Sequence, residues 1–420
     1  MSVLYILGIY VFIICSFIFI MLFGPNEMFK GTIIEKIHWF LTIGARQYLL
    51  QLYKYIFGKE FNTENKIFKA IYGFRHRFIQ LFYLSISSGG IVLFFYTALS
   101  RLPNRYLGPI HFFIMPVVIG FIYVSFYIAC VSDPGFITKE NVDKICKHFK
   151  YDHILYSERT CKTCQFNKPA RSKHCSTCGH CVAKSDHHCS WINNCVGYLN
   201  FRWFLTFLIS NIIISFYGCY LSFYIMKDKA HVMGIDNGYA FNRYTHQYEE
   251  IHLKQLFLIM INEEPILCAL FLFLGASAFV VIGFAGYQSY LSIVAGMTTN
   301  ELAKWGRLEG RLDNGETFIT KTYVGDQITE EGKKIQQQQE EKKDGIRNRK
   351  GNTSNEKSNM NEEEKKNKSS ALDMDEYYDG MIKNGYRYTT ISSFEDVQNH
   401  YNYGIFKNFK EIFFPNEDIF

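Results

Sequence analysis

Apolar residues in this chain are gathered into long runs separated by polar stretches, the pattern of helices that meet lipid. Val3 to Phe23 carries no charged residue, and about twenty such positions let a helix cross roughly 30 Å of hydrocarbon. Ile79 to Leu99, Pro109 to Val131, Trp203 to Ile225 and Pro265 to Leu291 repeat the pattern, so five crossings are predicted. The first run has no basic residues before it and no small-residue cleavage pattern after it, which reads as an uncleaved signal anchor. Ser2 in place of glycine gives no N-myristoylation signal.

The polar stretches divide the chain further. In 24–78, Ile33, Ile34, Ile37, Phe40 and Leu41 recur near helical spacing among Lys36, Arg46 and Lys54, which predicts an amphipathic segment on the membrane surface. That segment holds nine Lys and Arg, against two, Arg101 and Arg105, between the second and third runs. The basic excess places 24–78 in the cytosol, and alternation puts 132–200 and everything after Leu291 there too. The boundaries that follow are 1–23 (anchor), 24–78 (surface segment), 79–131 (two crossings), 132–200 (cysteine-rich), 201–291 (two crossings and a luminal loop) and 292–329 (a compact cytosolic stretch). After them, 330–370 is low in complexity and apolar content, so disorder is expected, and aromatics return in 371–420 as a docking segment.

Composition sharpens this outline. Of 420 residues 48% are apolar and 17% aromatic, and the net charge is only +6. So small an excess reads as a bias toward the membrane surface, with no nucleic-acid partner. The predicted crossings hold almost no ionisable residues, which argues against a permeation path.

The chemistry is concentrated in Cys161 to Cys195, where seven cysteines and four histidines fall within 35 residues. Closely spaced Cys and His let a short loop offer several ligands to zinc, which takes four in tetrahedral array. Cys161, Cys164, His174, Cys175, Cys178, His180, Cys181, His187, His188, Cys189 and Cys195 make eleven candidates. Two closed sites use eight and leave three, and Asp186-His187-His188-Cys189 sets an acid, a base and a thiol side by side, the parts of nucleophilic catalysis. Thiolates and free thiols belong in a reducing compartment, in agreement with the cytosolic placement.

The spacing C-x2-C, nine residues, H-C-x2-C-x2-C, four residues, D-H-H-C, five residues, C resembles the DHHC family of protein S-acyltransferases without an insertion. KPARSKHC before the motif, SWINNCVG after it, Ile209 to Asn211 and Gly296 to Glu301 resemble the SNARE-acylating branch. The resemblance implies an all-α polytopic membrane protein with a small cytosolic two-zinc domain. One structural zinc would be held by Cys161, Cys164, His174 and Cys181, the other by Cys175, Cys178, His188 and Cys195. Cys189 would be the nucleophile, His187 its base, and Asp186 the group orienting His187.

The implied reaction moves a palmitoyl group from palmitoyl-CoA through Cys189 to cysteines near the membrane surface of membrane-associated proteins. Lys168, Arg171 and Lys173 are the cations expected at the CoA phosphates. Asp133-Pro134-Gly135 and Thr298-Thr299-Asn300-Glu301 resemble two further family motifs, by which Thr299 would support Asp186. Asn402 and Asn408 match a C-terminal motif that braces the helices. Family habit suggests the endoplasmic reticulum or Golgi and leaves room for an accessory subunit.

Overall fold

The computed structural model describes residues 9, 12–13, 16–21, 23–24, 26–44, 48, 51, 66–242, 246–323, 382–383 and 386–420. Most of the first predicted crossing and the whole low-complexity segment lie outside them. In chain order the elements used below are α1 (Ile33–Trp39), α2 (Lys66–Ala98), α3 (His111–Val131), β1 (Phe136–Ile137), α4 (Val142–His148), β2 (Lys173–Cys175), β3 (His180–Val182), β4 (His187–Cys189) and β5 (Asn194–Val196). There follow α5 (Phe201–Val232), β6 (Tyr239–Asn242), β7 (Gln247–Glu250), α6 (Leu253–Glu263), α7 (Pro265–Ser289), a π-helical turn Tyr290–Val294, α8 (Thr299–Asp313), β8 (Phe318–Tyr323), β9 (Ile382–Lys383), β10 (Tyr386–Ile391) and α9 (Ile405–Phe413).

The chain forms two compact units. The first comprises Met1–Gly135, Asp186–Ala295 and Ile405–Pro415. Among the described residues it holds four helices long and apolar enough to cross a membrane, Ile79–Arg101, His111–Val131, Phe201–Val232 and Pro265–Val294. Helix α3 shows why they suit lipid. Met115, Ile122, Phe126 and Ala129 are buried, while Phe113, Val117, Val124 and Tyr127 on the other side are exposed and equally apolar. A helix that is apolar all round gains nothing from water on either face.

Helix α3 stops where Pro134 forces the residue before it out of the helical region, and the Asp133 carboxylate accepts the Gly135 N–H at 2.8 Å in a tight turn. Helix α5 runs seven residues past its predicted end at Ile225, because Lys227, Asp228 and Lys229 are acceptable helix residues once the apolar stretch is over.

Two apolar cores fill this unit. One gathers Ala98, Leu102, Leu221, Ile225, Met260 and Leu267. The other surrounds Cys189 with Phe126, Ile192, Phe201, Phe204, Phe207 and Phe284. Helix α9 joins the second core through Ile412, and the Asn408 side chain, 1% exposed, donates to the Ile293 carbonyl at 3.0 Å.

The second unit comprises Phe136–Ser185, Gly296–Gly404 and Asn416–Phe420. It contains the small antiparallel sheet β1-β3-β2 and the sheet β8-β10-β9. Trp305, Leu308 and Leu312, three and four residues apart on α8, bury one face of that helix among Phe318, Ile391 and Phe394. The helix opens with a reciprocal cap: the Glu301 N–H donates to the Thr298 hydroxyl at 3.2 Å, and the Thr298 N–H donates to the Glu301 carboxylate at 2.8 Å.

Just before this cap Gly296 sits at φ +63°, and a Cβ there would lie 2.8 Å from the Asn402 Cα. Both strain and collision act against any side chain. Gly296→Ala is therefore expected to destabilise the detergent-solubilised protein by about 2 kcal/mol or more, read as a lowered unfolding midpoint.

Candidate active site and metal centres

The Cys161 to Cys195 stretch folds into short hairpins whose register sets the ligands. In β2–β3, His174 lies directly opposite Cys181, and in β4–β5, His188 lies opposite Cys195. The turn after Cys178 needs a positive φ, which Gly179 supplies at +75°, and backbone N–H groups of Cys164 and Cys178 point at the Cys161 and Cys175 sulfurs at 3.4 Å. Two groups result whose ligand atoms lie within 4.8 Å of one another: Cys161, Cys164, His174 and Cys181, and Cys175, Cys178, His188 and Cys195.

A tetrahedral zinc ion with bonds of about 2.3 Å to sulfur and 2.0 Å to nitrogen would hold two sulfurs about 3.8 Å apart and a sulfur and a nitrogen about 3.5 Å apart. In the first group the Cys164 and Cys181 sulfurs are 3.8 Å apart, and the sulfurs of Cys161, Cys164 and Cys181 stand 3.7, 3.3 and 3.8 Å from His174 Nδ1. In the second, Cys195 and His188 Nδ1 are 3.6 Å apart.

Electrostatics points the same way. Burial pushes the Cys181 thiol up, and the neighbouring Cys161 and Cys164 push it further. Crowded thiolates call for a cation among them. No disulfide joins the described cysteines. Both groups fit a metal ion.

The residues outside these groups include Asp186, His187 and Cys189. Strand β4 explains how three successive residues serve two purposes. Side chains alternate faces along a strand, so His188 points to one side while His187 and Cys189 share the other. His187 Nδ1 lies 2.6 Å from the Asp186 carboxylate, whose own backbone N–H donates to the Val196 carbonyl at 2.9 Å. The Asp186 side chain is 1% exposed and that of His187 28%. With Nδ1 engaged, Nε2 is the ring nitrogen left to serve Cys189, whose side chain acts electrostatically on the imidazole. Burial alone would push the imidazole down, but the bond to Asp186 and the charges of Asp186 and Cys189 push it up to about 10. Phe204 packs its edge against the ring at 5.4 Å between centroids. The arrangement is a thiol beside a base that a buried carboxylate orients, and it can perform nucleophilic acyl transfer.

The remaining expected residues are placed as follows. Lys168 accompanies a turn of the cysteine-rich segment, its carbonyl accepting from the Tyr151 hydroxyl at 2.7 Å, and Lys173 is exposed at the start of β2. Arg171, expected at the CoA phosphates, is corrected by the structure. It is 1% exposed, and its guanidinium grips both Glu301 oxygens at 2.6 Å and the Gly296 carbonyl at 2.9 Å. The Tyr401 ring stacks on it at 4.8 Å. A fork already closed on a carboxylate inside the protein is not offered to a soluble anion.

Thr299 is the first residue of α8 in the second unit, where Thr298 does the capping. Asn402 forms the close approach to Gly296 and accepts the Gly404 N–H at 3.1 Å. The sequence reading missed the Arg171–Glu301 pair. Its only signal was the glutamate three residues into a capping box, and nothing local pointed to an arginine 130 residues away.

Comparison with known proteins agrees with this geometry. The sequence model of the DHHC palmitoyltransferase family matches residues 154–306. Palmitoyltransferase SWF1 of Candida albicans is 32% identical over 309 residues, covering 74% of this chain and 78% of that one. The chain belongs to the DHHC palmitoyltransferase family. Palmitoyltransferases SWF1 of Yarrowia lipolytica and swf1 of Schizosaccharomyces pombe are 26% and 27% identical, each over 72% of this chain and over 70% and 80% of their own lengths. This DHHC protein is a protein S-palmitoyltransferase and an integral membrane protein, with two Cys and His groups that can hold metal ions.

Burial by itself would push the Glu301 carboxyl up, but the Arg171 charge and hydrogen bonds and the Thr298 N–H hold it below the usual carboxylate range. A carboxyl depressed on folding adds stability that is present above its unfolded pKa and is lost as pH falls through its folded one. Arg171→Met, which leaves a buried charge unpaired, should destabilise the protein by about 3–5 kcal/mol at neutral pH. Arg171→Met combined with Glu301→Leu should lose less, as chemical unfolding of the three proteins would measure.

Proposed function

We propose that Cys189 carries the palmitoyl group as a thioester between palmitoyl-CoA and cysteines of membrane-associated proteins. One observation supports this above the others: the buried Cys189 sulfur, outside both ligand groups, shares a strand face with an imidazole held by a buried carboxylate.

In the first step the Cys189 thiolate attacks the thioester carbonyl carbon. The bond from that carbon to CoA sulfur breaks, and the departing thiolate takes the proton held by His187. In the second, a substrate thiol gives its proton to His187 and attacks the acyl carbon, and Cys189 leaves as thiolate. One thioester is exchanged for another each time, so no ATP is required. Asp186 keeps His187 in the tautomer that faces the sulfur and stabilises its cationic form. Zinc at the two groups would supply rigidity and charge neutralisation only, since four protein ligands leave no open position.

Lys168 and Lys173 are the cations proposed for the CoA phosphates, now without Arg171. The fatty chain is accommodated among the spanning helices, where each buried methylene contributes about 0.8 kcal/mol. The second apolar core, with Phe126, Phe204, Phe207 and Phe284, lies against Cys189 and supports that placement. Substrate cysteines then have to reach the cytosolic membrane face. An endomembrane setting and substrates that are themselves membrane-anchored belong to the same proposal.

Two outcomes are expected. Purified protein incubated with an alkyne-tagged palmitoyl-CoA takes up a hydroxylamine-sensitive label that Cys189→Ser loses entirely, and His187→Ala slows labelling by about 10²-fold or more. Elemental analysis returns two zinc ions per chain for the wild type and for Cys189→Ser, and fewer for Cys161→Ser. Label persisting in Cys189→Ser, or zinc lost with that sulfur, would refute the reading.

A further inference from the structure

Helix α3 ends against the hairpin that carries the nucleophile, and one side chain hydrogen-bonds the two together. The last carbonyls of a helix have no partner within it. Here the Ser132 N–H serves the Ile128 carbonyl at 2.9 Å. The next carbonyl in line, that of Ala129, accepts instead from Asn194 Nδ2 at 3.3 Å, and the same nitrogen donates to the Ser132 carbonyl at 2.8 Å. Asn194 is 8% exposed and stands directly opposite Cys189 in the β4–β5 ladder. Cross-strand partners keep their Cα atoms about 4.5–5.5 Å apart. The backbone of Cys189 is thus one ladder rung from a side chain bound to the end of a spanning helix. A second amide reaches the same loop from α2, where Gln80 Nε2 lies 3.5 Å from the Ile192 carbonyl and 3.1 Å from the Cys130 sulfur.

We propose that Asn194 is a positioning residue for acyl transfer: by capping α3 from outside, its amide fixes where Cys189 stands against the end of that helix. The inference rests on Cys189 being the acyl-accepting sulfur. Asn194 touches neither thiol nor imidazole through its amide, so it acts on place and leaves the reactivity of the sulfur alone. A thioester whose chain is lodged among the helices must meet a sulfur at a set position, whereas a small soluble electrophile approaches from any side. Displacement of the hairpin therefore penalises the first reaction and spares the second.

The isosteric Asn194→Asp replaces the donating nitrogen with an oxygen and turns both hydrogen bonds into oxygen–oxygen contacts. Asn194→Ala removes the donor without that repulsion and serves where the first variant folds poorly. Three quantities are read on each detergent-purified protein: single-turnover palmitoylation of Cys189, alkylation of Cys189 by iodoacetamide followed by mass spectrometry, and zinc content. The expected result is palmitoylation slowed by roughly tenfold to a hundredfold, chiefly in its maximal rate and less in the concentration of palmitoyl-CoA needed, with alkylation within about twofold of wild type and two zinc ions retained. Loss of zinc, or alkylation falling in step with palmitoylation, would reassign Asn194 to holding the fold. Wild-type palmitoylation in both variants would show the amide to be dispensable. Persistence of label in Cys189→Ser is read separately and bears on the nucleophile alone.

Discussion

The period-two alternation of a β-strand is the constraint on which the proposed catalytic arrangement depends. In β4, His188 faces the second ligand group while His187 and Cys189 face the other way. Had these three residues been helical, neighbours would be about 100° apart, and neither the separation of duties nor the meeting of His187 with Cys189 would follow. Strand β5 holds β4 in register through the pairs His187 with Val196, His188 with Cys195 and Cys189 with Asn194. The Asp186 N–H extends the pairing to the Val196 carbonyl. Rigid backbone on both sides of the imidazole leaves little conformational entropy to be lost when the transition state forms.

The second unit relies on one carboxylate used several times. Glu301 closes the capping box of α8, receives the Arg171 guanidinium at both oxygens and takes the Tyr156 hydroxyl at 3.3 Å. Burying such a pair forfeits hydration of two ions, and only saturation of the hydrogen-bonding sites offsets that loss. The guanidinium meets this condition by also serving the Gly296 carbonyl and lying against Tyr401. Lys304 stands over the Tyr156 ring at 3.5 Å, adding a cation on the outer side. The gain is geometric: segments from Tyr156, Arg171, Gly296 and Tyr401 converge on one group.

Four of the five predicted spans were legible among the described residues because an apolar run of eighteen or more residues has few other uses, and for α3, α5 and α7 with its π-helical turn the limits agree to within about two turns. The ligand groups were legible from spacing, since C-x2-C turns leave few alternatives. Arg171 was misread because a basic residue between zinc ligands looks solvated until its partner is known, and Glu301 lies in another part of the chain. Strands of three residues such as His187–Cys189 carry no alternation of apolar and polar residues to betray them. Helix α2 begins at Lys66, well before the predicted crossing, because charged residues do not end a helix merely by ending its apolar stretch. The hairpin β6–β7 lay unseen between α5 and α6 for want of a turn signal.

The attachment of the remaining pieces to the helix bundle follows from a single need. Each helix leaves carbonyls unpaired at its C-terminal end, and near a bilayer water is a poor remedy, so an unserved carbonyl there costs about 1–3 kcal/mol. Side chains from elsewhere supply the donors. Asn194 serves the end of α3, Asn408 serves the Ile293 carbonyl in the turn that follows α7, and Arg202, at the entry to α5, serves the Phe413 carbonyl at the end of α9 at 3.1 Å. These three contacts bring the β4–β5 hairpin and the C-terminal helix to the ends of the apolar spans. Polar donors of this kind have no better partner in an apolar setting than an orphaned carbonyl, so the same shortage that makes a helix end costly in a membrane selects where a loop docks. On the proposed reading, the acyl-accepting sulfur of Cys189 is held beside the end of an apolar span by a contact of this kind.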